Sequence, residues 1–115
     1  MNIAKLIGNN GENKAANAYR KRGYKIIARN FSCRYGELDI VAQKGDTVVI
    51  AEVKTRKNAN FAQAKEFVDY NKQNKIRKTA LLFLQKNNLL DSTVRFDVVE
   101  VYTEYNTINI IENSF

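Results

Sequence analysis

Apolar positions along this chain recur with two different periods, and each change of period marks an element. From about Asn10 to Arg22, the residues Ala15, Ala18, Tyr19 and Arg22 recur at helical spacing, and Gly23 suits a helical stop. Tyr24–Phe31 reads as a strand. Gly36–Gln43 and Thr47–Thr55 predict two more, rich in Val, Ile and Leu. Between them Lys44-Gly45-Asp46-Thr47 predicts a tight turn, with Gly45 free to take positive φ. Phe61–Asp69 predicts a short helix. Asn71–Lys86 predicts a longer one with Ile76, Ala80, Phe83 and Leu84 on one face. After a loop at Asn87-Asn88 and Asp91-Ser92, Val94–Tyr102 and Thr107–Ile111 predict the last two strands. The order α-β-β-β-α-α-β-β calls for an early antiparallel hairpin and a later strand reached by a helical crossover. The expected fold class is α/β: a central mixed five-stranded sheet flanked by helices, in one domain over residues 1–115.

Charges interrupt two of these strands at matched places. The second reads Gly36-Glu37-Leu38-Asp39-Ile40-Val41-Ala42, and the third Val48-Val49-Ile50-Ala51-Glu52-Val53-Lys54-Thr55-Arg56. A turn centred on Gly45-Asp46 sets Asp39 opposite Glu52 and Glu37 opposite Lys54. Opposed residues share a face of the sheet, so alternation predicts three carboxylates and one ammonium on a single patch. Like charges facing each other across strands are destabilising, and Asp39 against Glu52 therefore calls for a counter-charge. Mg²⁺ fits, since it takes oxygen ligands and is held by one or two carboxylates with substrate phosphate and water. Lys54 beside it can orient an attacking water or offset charge in the transition state. The plainer reading, a Lys54–Glu37 pair at a solvated sheet edge, leaves the Asp39–Glu52 repulsion unexplained.

Composition narrows the chemistry. The chain has 115 residues, no histidine and one cysteine. That removes His-based acid–base catalysis, Ser-His-Asp and Cys-His nucleophiles, and zinc sites built on His. With no histidine to activate it, Cys33 reads as a small packed residue. A lone cysteine, a mixed polar N-terminus and no long apolar run predict a cytoplasmic protein without a membrane span. The net charge is +7 and uneven: up to Lys78 there are 17 basic and 7 acidic residues, and beyond it 2 basic and 5 acidic. A basic region of this kind points to a polyanionic partner, with nucleic acid first. Arg56 and Lys57 follow the acidic strand, and Lys72, Lys75, Arg77 and Lys78 cluster at the start of the second large helix. As a group they suit phosphate contact, and cations at a helix N-terminus need such a reason because they oppose its dipole. Arg20, Lys21 and Arg22 suit the dipole at the first helix end. Tyr35 can stack on a base, although an edge-strand tyrosine is the commoner outcome. Asp97 reads as a structural partner of Arg95.

The ordered series Gly11-Glu12-Asn13-Lys14-Ala15-Ala16, Gly23-Tyr24, Arg29-Asn30, Gly36 to Ala42, Glu52 to Arg56, Lys72-Gln73 and Arg95 to Val99 closely resembles the YraN family. That is a family of small bacterial proteins without settled function. The resemblance spans about Gly8 to Val101. The family is similar to restriction-endonuclease-like PD-(D/E)xK nucleases and archaeal Holliday junction resolvases. The resemblance implies that Asp39, Glu52 and Lys54 form the catalytic core and that Glu12 completes the acidic cluster. It also implies that Gln73 occupies a polar position common in related nucleases. No Pro precedes Asp39, and Ala51 stands where many members carry a larger residue.

Together these readings predict a metal-dependent DNA endonuclease for branched or structured DNA. Asp39, Glu52 and Glu12 would hold Mg²⁺ or Mn²⁺, and Arg56, Lys57, Lys72, Gln73, Lys75, Arg77 and Lys78 would hold nucleic acid. Resolving a branch needs two active sites, which a homodimer supplies. The alternative is a non-catalytic nucleic-acid-binding module or adaptor subunit that keeps the fold.

Overall fold

The first helical pattern belongs to a longer helix than its spacing predicts. In the computed structural model, which describes residues 3–58 and 69–115 and the side chains of the first helix from Asn10 onward, α1 runs Ile3–Lys21. Gly8, Asn9, Asn10 and Gly11 are weak helix formers, so local propensity starts the helix too late; such propensity is a weak prior. The stop falls as expected. Gly23 takes φ +90°, and the Gly23 and Tyr24 N–H groups donate to the Arg20 and Tyr19 carbonyls, both at 3.0 Å.

The strands are β1 (Lys25–Cys33), β2 (Gly36–Lys44), β3 (Thr47–Arg56), β4 (Thr93–Tyr102) and β5 (Thr107–Ile111), and α2 (Tyr70–Lys86) lies between β3 and β4. They form one sheet in chain order. Among the described residues the β3–β4 pair is parallel and the other three pairs are antiparallel. This is the mixed five-stranded α/β sheet the sequence predicts, compatible with a restriction-endonuclease-like fold. A parallel pair needs a long crossover, and α2 lies within it. Asp69 caps α2, accepting from the Lys72 N–H at 2.8 Å in extended backbone. The short helix expected at Phe61–Asp69 otherwise lies outside the described residues.

The helices cover opposite faces. Ala15, Ala16 and Tyr19 of α1 pack on Ile40, Ala42, Val49, Ala51, Val99 and Val101. Ile76, Ala80, Phe83 and Leu84 of α2 pack on Leu38, Val41, Val48 and Ile50. Gly11 lets α1 lie close to the sheet, since a Cβ there would collide with Thr55 Oγ1 of β3. Among the described residues no helix is long and apolar enough to cross a membrane.

The hairpin register is the expected one, with pairs running from Lys44↔Thr47 to Ile40↔Ala51 around Gly45 at φ +56°. The ladder then ends. Leu38 and Ile40, two residues apart, pack in opposite clusters. Regular alternation therefore fails at Asp39, between them.

Candidate active site

The end of the β2–β3 ladder gives Asp39 its partner. Where the next strand pair would form, Asp39 Oδ2 instead accepts from the Val53 N–H at 2.8 Å. The side chain thus satisfies a backbone donor freed by the divergence of the strands. Glu52 precedes that donor and reaches the same point, acting on Asp39 as a charge and through a side-chain hydrogen bond. Burial, then the Glu52 charge, pushes the Asp39 pKa up to about 7, against the downward pull of the Val53 N–H. The two carboxylates converge as the sequence predicts, but through a break in the ladder and not as a regular cross-strand pair.

Two lysines flank them. Lys72 Nζ lies 2.8 Å from Glu52 Oε1, with the lysine about half exposed and the glutamate largely buried. Burial works against the Lys72 charge, but the Glu52 hydrogen bond and charge outweigh it, leaving its pKa above the ordinary lysine value. This pair supplies the reason for a cation in the first turn of α2, where the dipole disfavours one. Lys54 is within reach of the charges of Lys72, Glu52, Arg56 and Asp39. Its pKa is lowered, first by burial and then by the Lys72 charge. A cleft of about 270 Å³ opens here, with Asp39, Glu52, Lys72 and Lys75 on its walls.

The remaining candidates divide. Glu12 reaches the region from α1: its charge raises the Asp39 pKa, while Oε2 lies 3.6 Å from Arg29 Nη2. Arg29 also donates to Asn13 Oδ1 at 2.8 Å, so it braces this part of α1. Glu37 lines the cleft but is exposed and pairs with Ser32 of β1. Arg56 Nε lies 3.4 Å from Glu100 Oε2, both side chains largely covered. Lys57 is exposed beyond β3, its carbonyl accepting from Glu104 N–H. Gln73 Oε1 accepts from Arg77 at 3.5 Å. Arg77 turns from the cleft to lie over the Phe96 and Phe115 rings, at 5.8 and 5.6 Å. Lys78 lies beside Tyr35. The basic group read from sequence as one surface is therefore split, with Lys72 and Lys75 facing the cleft. The Lys72–Glu52 pair was not legible as such; the misfit of Lys72 with the helix dipole was its only signal.

The residues present fit a hard divalent cation. All donors are carboxylate oxygens, and Glu12 Oε2 is buried without a hydrogen-bond partner. Among the described residues no three acidic groups close a metal cage by themselves. Two carboxylates completed by substrate phosphate and water are the usual Mg²⁺ arrangement, so the fit is to an open site.

Comparison with known proteins gives the chain relatives along most of its length. The sequence profile of the uncharacterised protein family UPF0102 matches residues 11–101. A UPF0102 protein of Caldicellulosiruptor saccharolyticus is 42% identical over 113 residues, covering 95% of this chain and 96% of that protein. One from Persephonella marina is 39% identical, covering 94% and 91%. Another, from Clostridioides difficile, is 40% identical, covering 94% and 95%.

Proposed function

The chain belongs to the uncharacterised protein family UPF0102, the YraN family of the sequence reading, and from that premise we propose that it is a metal-dependent endonuclease acting on branched or structured DNA. The observation that carries this reading is the placement of Asp39 and Glu52 together where β2 and β3 diverge, with Lys54 and Lys72 beside them. Nothing in the hydrophobic core requires that arrangement.

Asp39 and Glu52 would hold Mg²⁺ or Mn²⁺, with Glu12 assisting from α1. Bound there, the cation supplies Lewis-acid polarisation of a phosphodiester and lowers the pKa of water. The Val53 N–H fixes the Asp39 carboxylate. Lys54, with its proton held less tightly than in an ordinary lysine, orients the attacking water and transfers a proton at Nζ. Lys72 and Lys75 hold the phosphate backbone without reading sequence. DNA as substrate sets the protein in the cytoplasm, and two cuts at a branch are supplied by a homodimer.

The test is a cleavage assay. Labelled single strands, linear duplex, flaps and four-way junctions are incubated with Mg²⁺, Mn²⁺ or EDTA. Metal-dependent cleavage that disappears in both Asp39→Asn and Lys54→Ala is expected. Salt-sensitive binding with no cleavage of any substrate would replace the enzyme with a binding module.

A further inference from the structure

Tyr35 is not on an edge strand. It lies in the turn between β1 and β2, and with α2 it walls a second cavity of about 640 Å³, larger than the acidic cleft. We propose that this cavity binds an unpaired nucleotide of the DNA strand that enters the cleft. The proposal rests on the DNA reading above and narrows its substrate.

The lining has the chemistry a nucleotide needs. Its size falls in the range of small-ligand pockets, roughly 300–1,000 Å³. Tyr35 brings an aromatic ring to the wall, its hydroxyl accepting from Arg34 Nη2 at 2.7 Å, and Leu81, 55% exposed, adds apolar surface. Arg34 and Lys78 stand over that ring at 4.8 and 5.9 Å, two cations with no carboxylate in the lining. Aromatic rings and guanidinium planes are what unstacked bases pack on, and the cations suit the attached phosphate. Gln85 places an amide, both donor and acceptor, at the rim for a base edge.

The turn is tied to the helix. Cys33 Sγ accepts from the Tyr35 N–H at 3.4 Å and lies 3.7 Å from Thr79 Oγ1, which donates to the Lys75 carbonyl at 2.7 Å. The cavity also adjoins the cleft. Gly36, next to Tyr35, and Lys75, one turn before Lys78, both line the cleft. One helical turn is about 5.4 Å. A strand whose phosphates pass Lys75 and Lys78 brings the base beside the cleavage point to Tyr35. A paired base must first leave its stack to enter, whereas an unpaired one need not. The substrate class is therefore DNA with unpaired nucleotides beside the cut, such as a single strand, a flap or an opened branch.

The experiment measures binding in EDTA, where cleavage does not intervene. Fluorescence anisotropy compares a single strand, a flapped duplex and a blunt duplex for the native chain, Tyr35→Ala, Tyr35→Phe and Leu81→Ser, with thermal melts confirming that each folds. Tyr35→Ala is expected to weaken flap and single-strand binding about 10-fold or more while leaving blunt duplex within about 2-fold. Tyr35→Phe retains binding. Leu81→Ser, at an exposed position, lowers flap affinity about 3-fold. Equal loss on all three DNAs, or no loss on any, overturns the pocket even where Mg²⁺-dependent cleavage persists. Loss confined to unpaired DNA, in a protein that never cleaves, keeps the pocket and removes the nuclease.

Discussion

Two aspartates of the sheet, Asp97 fully buried and Asp39 partly so, meet opposite surroundings. Asp97 on β4 is fully buried, and every direction around it offers a donor. Arg95 approaches it through two nitrogens at 2.9 and 3.0 Å, Tyr19 Oη donates at 2.8 Å, and the Asn113 N–H donates at 3.0 Å. Those bonds link α1, β4 and the segment after β5. Asp39 has one backbone donor and, around it, Glu52 and Glu12. A saturated buried carboxylate stabilises a fold, while one left facing its own kind is held against a local cost. The difference separates a structural acid from a candidate functional one without reference to any relative.

The largest expected effect opposes the two sites directly. Asp39→Asn should lower metal-dependent cleavage by about 10³-fold or more while leaving the chain folded, and Asp97→Asn at a temperature where it folds should leave cleavage within about 10-fold; single-turnover rates read both. Next comes stability. Asp97→Asn removes the charge facing Arg95 and should cost about 2–3 kcal/mol in urea unfolding. A neutral result would mean that the network does not brace the fold.

A smaller effect follows from titration in EDTA. The Asp39 pKa is about 7 in the folded chain and about 3.9 in an unfolded one. Between those values the native state binds the extra proton, so stability falls as pH rises from about 4 to 7, and the loss is complete above that window. Asp39→Asn should flatten this slope and raise stability at pH 8 by about 1–2 kcal/mol. A slope unchanged in the variant would assign the titration elsewhere. Smallest of all, Glu37→Gln at the exposed rim should shift stability by no more than about 0.5 kcal/mol, with cleavage near native.

The sequence carried the hairpin register because a two-residue turn and strand alternation are local rules. They hold from Lys44↔Thr47 to Ile40↔Ala51. They fail one residue further on, where the Asp39 side chain takes over a backbone donor, an event that no alternation pattern encodes. The buried face of α2 was equally readable, from the spacing of Ile76, Ala80, Phe83 and Leu84. Lys72 on Glu52 and Arg29 on Glu12 were not, because each joins elements whose docking is decided by tertiary packing. Gly11 was visible in the chain, but its use depends on Thr55 lying against it.

The parallel seam also sets an order of assembly. β1, β2 and β3 follow one another through short turns, so their pairing closes small loops, whereas Thr47 meets Thr93 only after the whole crossover is in place. Short loops close at lower entropic cost, and local contacts form sooner. A refolding chain thus builds the Asp39–Glu52 end of its hairpin before α2 delivers Lys72.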